Sequence, residues 1–316
     1  MIDLSVVVPA YNARAHLTAT LGSLAANAGP GIELLVVDDA STDGTADAVE
    51  LAAADIAGLR LIRSPRNVGL ASARNLGLDA ARGRYVMFLD ADDWLGRGYL
   101  AALLAVARRS DVDFLRTDHV QVRGLQRRLH RAPVAHRDVV LEPRRYVLPA
   151  GETTMVDYPY AWAGLFDRSR VPEQLLRFDE GLRTAEDRPW IWRLHRRCTS
   201  FLVPSGLPGY FYRREVSSSL TAALDERQLD FTLAFGTVLA EIEADDEPDS
   251  FLEKAVRTSC VVIAHHLRRA DAMTPAVRTE LVRRSAALLH RVPESLLHRV
   301  LAAFDPERRE LLRAAV

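Results

Sequence analysis

Lysine is all but missing from this chain. Among its 41 basic residues, Lys254 is the single lysine and the remaining 40 are arginine. Schiff-base chemistry and a phosphate-loop lysine are therefore almost excluded, and the skew itself reads as the imprint of a GC-rich genome. Cysteine is also scarce. Cys198 and Cys260 lie far apart in helix-like stretches, which gives neither a disulfide framework nor a metal site and fits a reducing compartment. No apolar run approaches the ~18 residues that a membrane-spanning helix needs. A basic-then-apolar leader is absent, because the chain enters a strand almost at once, so the start does not read as a secretory signal. These absences predict a cytoplasmic protein without a membrane span. An excess of one charge is lacking too: the formal net charge is -1, so no global basic field recruits nucleic acid.

What is present is a globular composition, with 48% hydrophobic and 26% charged residues. The 316 residues suffice for one large domain or a domain with an appendage. Short apolar runs at 4–8, 32–37, 59–62, 85–89 and 112–115 read as strands, the first stopped by Pro9. Helical spacing fills 13–26, 45–54, 70–81 and 99–108 between and after them. This alternation with short connections predicts an α/β fold, a Rossmann-like doubly wound and mostly parallel sheet.

From 119 to 145 the pattern changes. Arg123, Arg127, Arg128, Arg131, Arg137, Arg144 and Arg145, with His130 and His136, face only Asp138 and Glu142. A solvated loop or hairpin is one reading of such a run; a docking surface for an anionic acceptor is the other. Residues 161–166 read as a buried strand, 201–203 and 210–212 as short strands, and 186–197 as a helix with Trp190, Ile191 and Leu194 on its apolar side. The acidic stretch 241–250, with Pro248, is a linker or a turn between helices. Helical periodicity over 251–267, 275–290 and 296–303 predicts an appendage for packing or homo-oligomerisation. The expected domains are thus 1–224, with halves 1–118 and 119–224, and a helical region over 225–316.

Chemistry concentrates at the predicted strand ends. Arg84-Tyr-Val-Met-Phe-Leu-Asp90-Ala91-Asp92-Asp93-Trp94 puts three acids after a buried strand, where open α/β sheets bind ligands. They repel one another unless neutralised, and a divalent cation bridging a diphosphate would neutralise them. A capped turn into the next helix is the bland alternative. Asp38 and Asp39 end another strand and can accept hydrogen bonds from a base or ribose; Ser41, Thr42 and Asp43 can equally cap the helix that follows. Asn67, Gly69 and Arg74 open a third helix, whose N-terminus favours an anion, while Arg74 can also be an ordinary surface arginine. Glu186-Asp187 begins the helix before Trp190. Acids there complement the helix dipole, or supply a general base for an acceptor hydroxyl, with a tryptophan offering a sugar an apolar face. Tyr212-Arg213-Arg214 and Ser217-Ser218-Ser219 lie where a chain can close over a diphosphate.

Taken in order, Val-Val-Val-Pro9-Ala-Tyr11-Asn12, Val-Val-Asp38-Asp39-Ala-Ser-Thr-Asp-Gly-Thr45, Asn67-Val-Gly, Ala-Arg74-Asn75, Phe-Leu-Asp90-Ala-Asp92-Asp93 and Thr-Ala-Glu186-Asp187-Arg-Pro-Trp190 resemble the inverting family 2 glycosyltransferases. The resemblance runs from residue 4 to about 221. It implies the nucleotide-diphospho-sugar transferase (GT-A) fold and a UDP-sugar donor. By matching position, Pro9, Tyr11, Asp38, Asp39, Asn67 and Arg74 would form the nucleoside pocket, joined by Asp90 and Ala91. Asp92 and Asp90 would hold Mn²⁺ or Mg²⁺. Asp187 would be the catalytic base, supported by Glu186, and Trp162, Trp190, Tyr212 and Arg213 would serve acceptor binding or donor closure. The Thr184–Asp187 context with a helical tail is similar to bacterial enzymes that glycosylate wall teichoic acids and other surface polymers. This implies a glycan, a phosphate-containing polymer or a lipid-linked acceptor, with peripheral membrane contact at the inner face. No Gln-x-x-Arg-Trp motif of processive members is found, so one sugar per binding event is expected. The competing readings are a nucleotidyltransferase, which would need a Gly-rich basic loop where Pro9–Ala13 stands, and a catalytically dead sugar-nucleotide or polymer-binding protein.

Overall fold

The computed structural model of the chain describes residues 2–207, 209–214 and 224–315. In order these form β1 (Leu4–Ala10), α1 (Arg14–Ala25), β2 (Ile32–Asp38), α2 (Thr45–Ala53), β3 (Leu59–Arg63), α3 (Leu70–Ala80), β4 (Tyr85–Phe88), β5 (Trp94–Leu95), α4 (Tyr99–Ser110) and β6 (Phe114–Arg116). Then follow β7 (His119–Arg123), β8 (Gln126–His130), β9 (Gly164–Asp167), α5 (Glu173–Leu176), α6 (Asp187–Arg197), β10 (Phe201–Leu202) and β11 (Tyr210–Arg213). The last helices are α7 (Phe231–Glu243), α8 (Pro248–Arg268), α9 (Pro275–Leu289), α10 (Glu294–Ala302) and α11 (Pro306–Leu312). They gather into two compact units. One comprises Met1–Arg144, Tyr160–Glu180 and Arg196–Val216; the other comprises Arg145–Pro159, Gly181–His195 and Ser217–Val316.

The first unit is built on a seven-stranded sheet of order β10-β6-β9-β4-β1-β2-β3. β1, β2 and β4 are buried along their whole length. Their Val- and Leu-rich runs suit strands covered on both faces, as parallel strands are. The expected α/β doubly wound fold is therefore the one observed, with β9 alone antiparallel to its neighbours β4 and β6. The 161–166 run contributes that strand, three residues later than its apolar onset.

Pro9 does not stop β1, contrary to expectation. Leu89 N–H donates to Val7 O on one side of β1, and Asp39 N–H donates to Ala10 O on the other. By alternation Pro9 would point its missing donor toward β4, whose last pairing is Phe88 with Val7. Pro9 cannot donate to Leu89 O, so pairing with β4 ends there while pairing with β2 runs on to Ala10 with Asp38. Gly77 on α3 marks a close approach, since a Cβ at that position would lie 2.2 Å from Val7 Cγ1. A smaller sheet, β5-β11-β7-β8, completes this unit, and the basic stretch supplies its β7–β8 hairpin through Gly124 at φ 54°.

The second unit holds the C-terminal helices. α7 lies before the stretch where helical periodicity was expected to begin. Gly236 and the β-branched Thr232, Thr237 and Val238 weaken its local preference, yet Phe231, Phe235, Val238 and Ile242 form a buried stripe. The acidic stretch after it is the turn between helices, with Pro248 opening α8 where no N–H is required. Lys254 on α8 is buried. Its Nζ donates 2.6 Å to Glu152 O and pairs with the Asp157 carboxylate, which also accepts from Thr258 Oγ1 at 3.0 Å. The segment 145–159 is thereby tied into the helical unit.

Candidate active site

In the first unit, β1 lies between β2 and β4, and the chain winds outward in both directions from that pair. A sheet of this kind opens a crevice beyond the carboxyl ends of its strands where the winding reverses. The segment 9–12 follows β1, Asp38 and Asp39 end β2, and Asp90 to Asp93 follow β4. The topology thus brings three of the expected motifs to one edge.

The loops at this edge are knitted by side chain to backbone bonds. Asn12, at φ 48°, donates its N–H to Ser41 Oγ and accepts from Thr42 N–H at 2.9 Å each. Asp43 accepts from Arg14 N–H, and Thr45 Oγ1 accepts from Ala13 N–H. Ser41 and Asp43 therefore serve the entry to α1. α2 is preceded by Gly44 in the left-handed region, which has no side chain to cap it, but Asp43 Oδ1 accepts from Thr45 N–H at 3.0 Å, so Asp43 serves the starts of both helices. Tyr11 is left 54% exposed, with its ring available to a ligand.

Asp39 is nearly buried. Its two oxygens accept from Val68 N–H at 2.7 Å and Gly69 N–H at 2.8 Å, and Asn67 Nδ2 donates to Asp39 O at 3.3 Å. This carboxylate holds the turn into α3, where Gly69 needs φ 88°. Each oxygen retains a lone-pair direction. Asp38 is also buried. Its Oδ2 accepts from Ser41 N–H at 3.3 Å, whereas its Oδ1 has no hydrogen-bond partner. Arg74 is not a surface arginine. It is buried, its Nη2 lies 3.0 Å from Asp90 Oδ1, and its guanidinium sits 5.1 Å from the Phe178 ring centroid.

The three acids after β4 have separate roles. Asp93 is fully buried and accepts from Tyr210 O–H at 2.8 Å and Arg213 N–H at 2.7 Å. Burial, with the Asp92 and Asp90 charges, pushes it well above the usual carboxylate range. The expectation that a cation must neutralise all three is corrected: Asp93 is satisfied by β11. Arg213 Nε donates to Asp92 O at 2.8 Å, and its guanidinium packs 4.7 Å from Trp94. Thr20 Oγ1 on α1 lies 2.8 Å from Ala91 O and 2.7 Å from Asp93 O, so the turn is fixed from both sides. Asp92 is different: burial first and the neighbouring Asp90 charge second push it up to about 6.

Among the described residues no group of three or more His, Cys, Asp or Glu side chains is arranged to hold a metal ion alone. The Asp90–Asp92 pair nevertheless fits one. The Asp90 charge makes ionisation of Asp92 costlier, a cost that a divalent cation relieves, and Mg²⁺-type ions commonly use one or two carboxylates completed by substrate phosphates.

Trp162 and Tyr212, expected at acceptor binding or donor closure, belong to an aromatic cluster whose other members, Tyr160, His119 and Tyr210, the sequence reading did not single out. Trp162 stacks on Tyr210 at 4.1 Å and on Tyr160 at 4.8 Å; His119 meets Trp162 edge-on at 4.8 Å; Tyr212 lies 5.2 Å from Trp162. Tyr210 bridges this cluster to Asp93, 117 residues earlier in the chain. Burial and the neighbouring His130 hold His119 down at about 3, so it stays neutral. Trp162 is buried in this cluster, while Tyr160 and Tyr212 are only partly covered. Trp190 is 0% exposed and offers a sugar no face, which corrects that expectation. The only sign in the sequence was the density of aromatics over 158–162 and 210–212.

In the second unit, Glu186 is buried and the half-buried Asp187 opens α6. Ser217-Ser218-Ser219 lie outside the described residues. β8 is exposed from Gln126 to Leu129 and forms the edge of its sheet. Arg137 belongs to the fold instead, pairing with Asp118 at 2.8 Å and donating to Val134 O and Ala132 O.

Residues 5–166 match the model of the family described as glycosyl transferase family 2. The chain is 31% identical over 223 residues to the uncharacterized glycosyltransferase EpsJ of Bacillus subtilis, covering 69% of this chain and 63% of EpsJ. It is 28% identical over 228 residues to the poly(ribitol-phosphate) beta-N-acetylglucosaminyltransferase TarS of Staphylococcus aureus, covering 71% of this chain and 38% of TarS. These alignments span less than two thirds of either relative. The crystal structure of TarS 1–349 in complex with UDP-GlcNAc superposes with a TM-score of 0.76 at 21% identity, covering 99% of this chain and 91% of that one. A mannosyltransferase from Pyrobaculum calidifontis, in complex with GDP-Man and Mn²⁺, gives 0.53 at 20% identity over 99% and 85%. These likenesses show the GT-A fold.

Proposed function

The chain belongs to glycosyl transferase family 2, and on that premise we propose that it is a metal-dependent, inverting transferase of a hexose-type sugar from a UDP-sugar. The observation that carries this reading is the convergence of 9–12, Asp38-Asp39 and Asp90–Asp92 on one sheet edge at the reversal of strand order. The UDP-GlcNAc bound by TarS supports the choice of UDP. Tyr11 and Asp39, with Asp38, Pro9 and Asn67, contact the nucleoside; the buried Asp38 Oδ1 has no hydrogen-bond partner, and a base or ribose donor would supply one. Arg74 fixes Asp90, and Asp90 with Asp92 would hold Mn²⁺ or Mg²⁺, which when bound stabilises the departing diphosphate.

Asp187, supported by Glu186, takes the proton of the acceptor hydroxyl. The acceptor oxygen then bonds to the anomeric carbon, the bond from that carbon to the diphosphate oxygen breaks with its electron pair, and UDP leaves from the opposite face. Attack and departure on opposite faces invert the configuration, and one base suffices for this single displacement. The exposed arginines of β8 suit an anionic acceptor, a phosphate-containing polymer or a lipid-linked glycan reached at the inner face of the membrane. The name of TarS, which acts on poly(ribitol-phosphate), supports that class. Among the described residues no helix is long and apolar enough to cross a membrane.

A screen of nucleotide sugars by thermal shift with Mn²⁺ tests the donor, because a ligand of the native state raises its apparent stability. Stabilisation by a UDP-sugar is expected; a shift by none of the nucleotide sugars overturns the reading. Asp187→Asn should slow transfer roughly a hundred- to ten-thousandfold while donor still binds; near-normal transfer would remove Asp187 from the role of base.

A further inference from the structure

The helices after residue 224 carry no motif, yet the segment leading into α6 is fastened to them. Arg183 is clamped on Asp230. Its Nε lies 2.9 Å from Oδ2, its Nη2 2.7 Å from Oδ1, and its own backbone N–H donates to Oδ2 at 2.8 Å. Asp230, which directly precedes α7, is 2% exposed. Arg183 Nη2 also donates to Glu226 O at 3.2 Å, and Thr184 Oγ1 donates to Arg227 O at 2.6 Å. Farther along α6, Arg193 donates to Glu241 Oε1 at 2.9 Å, on the last turn of α7. α6 is therefore held before its first turn and again within its body by one element, 226–243.

Between the clamp and the acids, Ala185 adopts φ 60°, a left-handed conformation that an alanine takes only when its surroundings impose it. The chain turns there, with Arg188 N–H closing on Ala185 O at 3.1 Å. Glu186 and Asp187 follow at once. A bidentate arginine–carboxylate pair fixes direction as well as distance. With Asp230 buried, the pair tolerates loss of Arg183 poorly, because a buried charge is left uncompensated.

We propose that Arg183, Thr184 and Asp230 are positioning residues for Asp187, and that the C-terminal helical region is thereby part of the catalytic apparatus. This rests on Asp187 being the base. A base displaced by about 1 Å loses about a hundredfold in rate, so the clamp acts on turnover rather than on donor affinity.

The experiment compares Arg183→Gln, Asp230→Asn, Arg183→Lys and Thr184→Val in the full chain, with Asp187→Asn as reference. It reads kcat, KM for donor and residual transfer over long incubations. Arg183→Gln and Asp230→Asn should lower kcat tenfold or more with donor KM changed less than twofold. Arg183→Lys should recover part of the loss, and Thr184→Val, nearly isosteric, should lower kcat about threefold without unfolding. In the Asp187→Asn background, Arg183→Gln should change residual transfer less than twofold.

If the clamp variants keep kcat within twofold of the parent while Asp187→Asn abolishes transfer, the positioning role is wrong and the base assignment stands. If Asp187→Asn itself transfers normally, the base assignment falls. A full multiplicative loss in the double variant would mean that Arg183 acts independently of Asp187, and would also overturn the proposal. Should Arg183→Gln fail to fold, Thr184→Val decides alone: unchanged kcat sinks the idea.

Discussion

The carboxylates of the strand-end loops and those that fasten α6 and α8 are satisfied by different partners. In the loops Asp39 leans on Val68 and Gly69 N–H, Asp43 on Arg14 N–H and Asp93 on Arg213 N–H, while Asp90 pairs with Arg74. Around α6 and α8 the carboxylates lean on cationic side chains: Asp230 on Arg183, Asp157 on Lys254, Glu241 on Arg193. Main-chain donors come with the turn itself, so the first arrangement is specified by short motifs whose spacing shows in the chain. Side-chain ion pairs join residues about fifty to a hundred positions apart and leave no local pattern. At Asp39 the first kind leaves a lone-pair direction on each oxygen. The second uses both partners up, and builds a frame.

That contrast can be broken by perturbing each kind. Lys254→Met should have the largest effect on stability, destabilising the helical unit by about 3 kcal/mol in chemical denaturation, because Asp157 loses its cation. Combining it with Asp157→Asn should restore much of the loss. If Lys254→Met alone is neutral, the pair is not part of the frame.

A pH series sharpens the other side. Asp92 is raised from 3.8 to about 6, so the folded protein holds that proton more tightly than the unfolded chain does. Its contribution to stability without a cation is full below pH about 4 and is lost as pH rises through about 6. A cation competes with the same proton. Mn²⁺-dependent donor binding should therefore be strongest above pH 6 and weaken up to tenfold per unit below it, as titration calorimetry at pH 5, 6 and 7 would show. Flat affinity across that range would mean that Asp92 is not a ligand.

The smallest expected effect lies on β8. Replacing Arg127, Arg128 and Arg131 together with Gln should weaken binding of an anionic acceptor roughly three- to tenfold at low ionic strength and flatten its salt dependence. No change in either would leave the hairpin as a charged edge that prevents strand pairing.

Much of the first unit was legible in the sequence for the reason that separates the units. Apolar runs with acids at their ends mark buried strands, and the α/β sheet they predicted is the one observed. The acids' individual duties were not legible. Asp93 follows Asp92 by one residue, yet it turns inward because Tyr210 and Arg213 meet it there. The aromatic cluster around Trp162 likewise draws on residues from 119 to 212. Pro9 misled because a proline ends pairing only on the side its N–H would face, and β1 continues beside β2. Trp190 looked like a sugar platform because helical periodicity gives a face but not what covers it. The fastening of α6 to α7 was invisible, since Arg183 and Asp230 are each unremarkable in their own surroundings.

The central claim is that the carboxylates beyond β4 bind a nucleotide sugar through a divalent cation. Calorimetric titration of a UDP-sugar into the full chain, with and without Mn²⁺, for the parent and Asp92→Ala, tests it most directly. The account predicts binding that strengthens with Mn²⁺ in the parent and loses that dependence in Asp92→Ala. Equal affinity in all four titrations would contradict it.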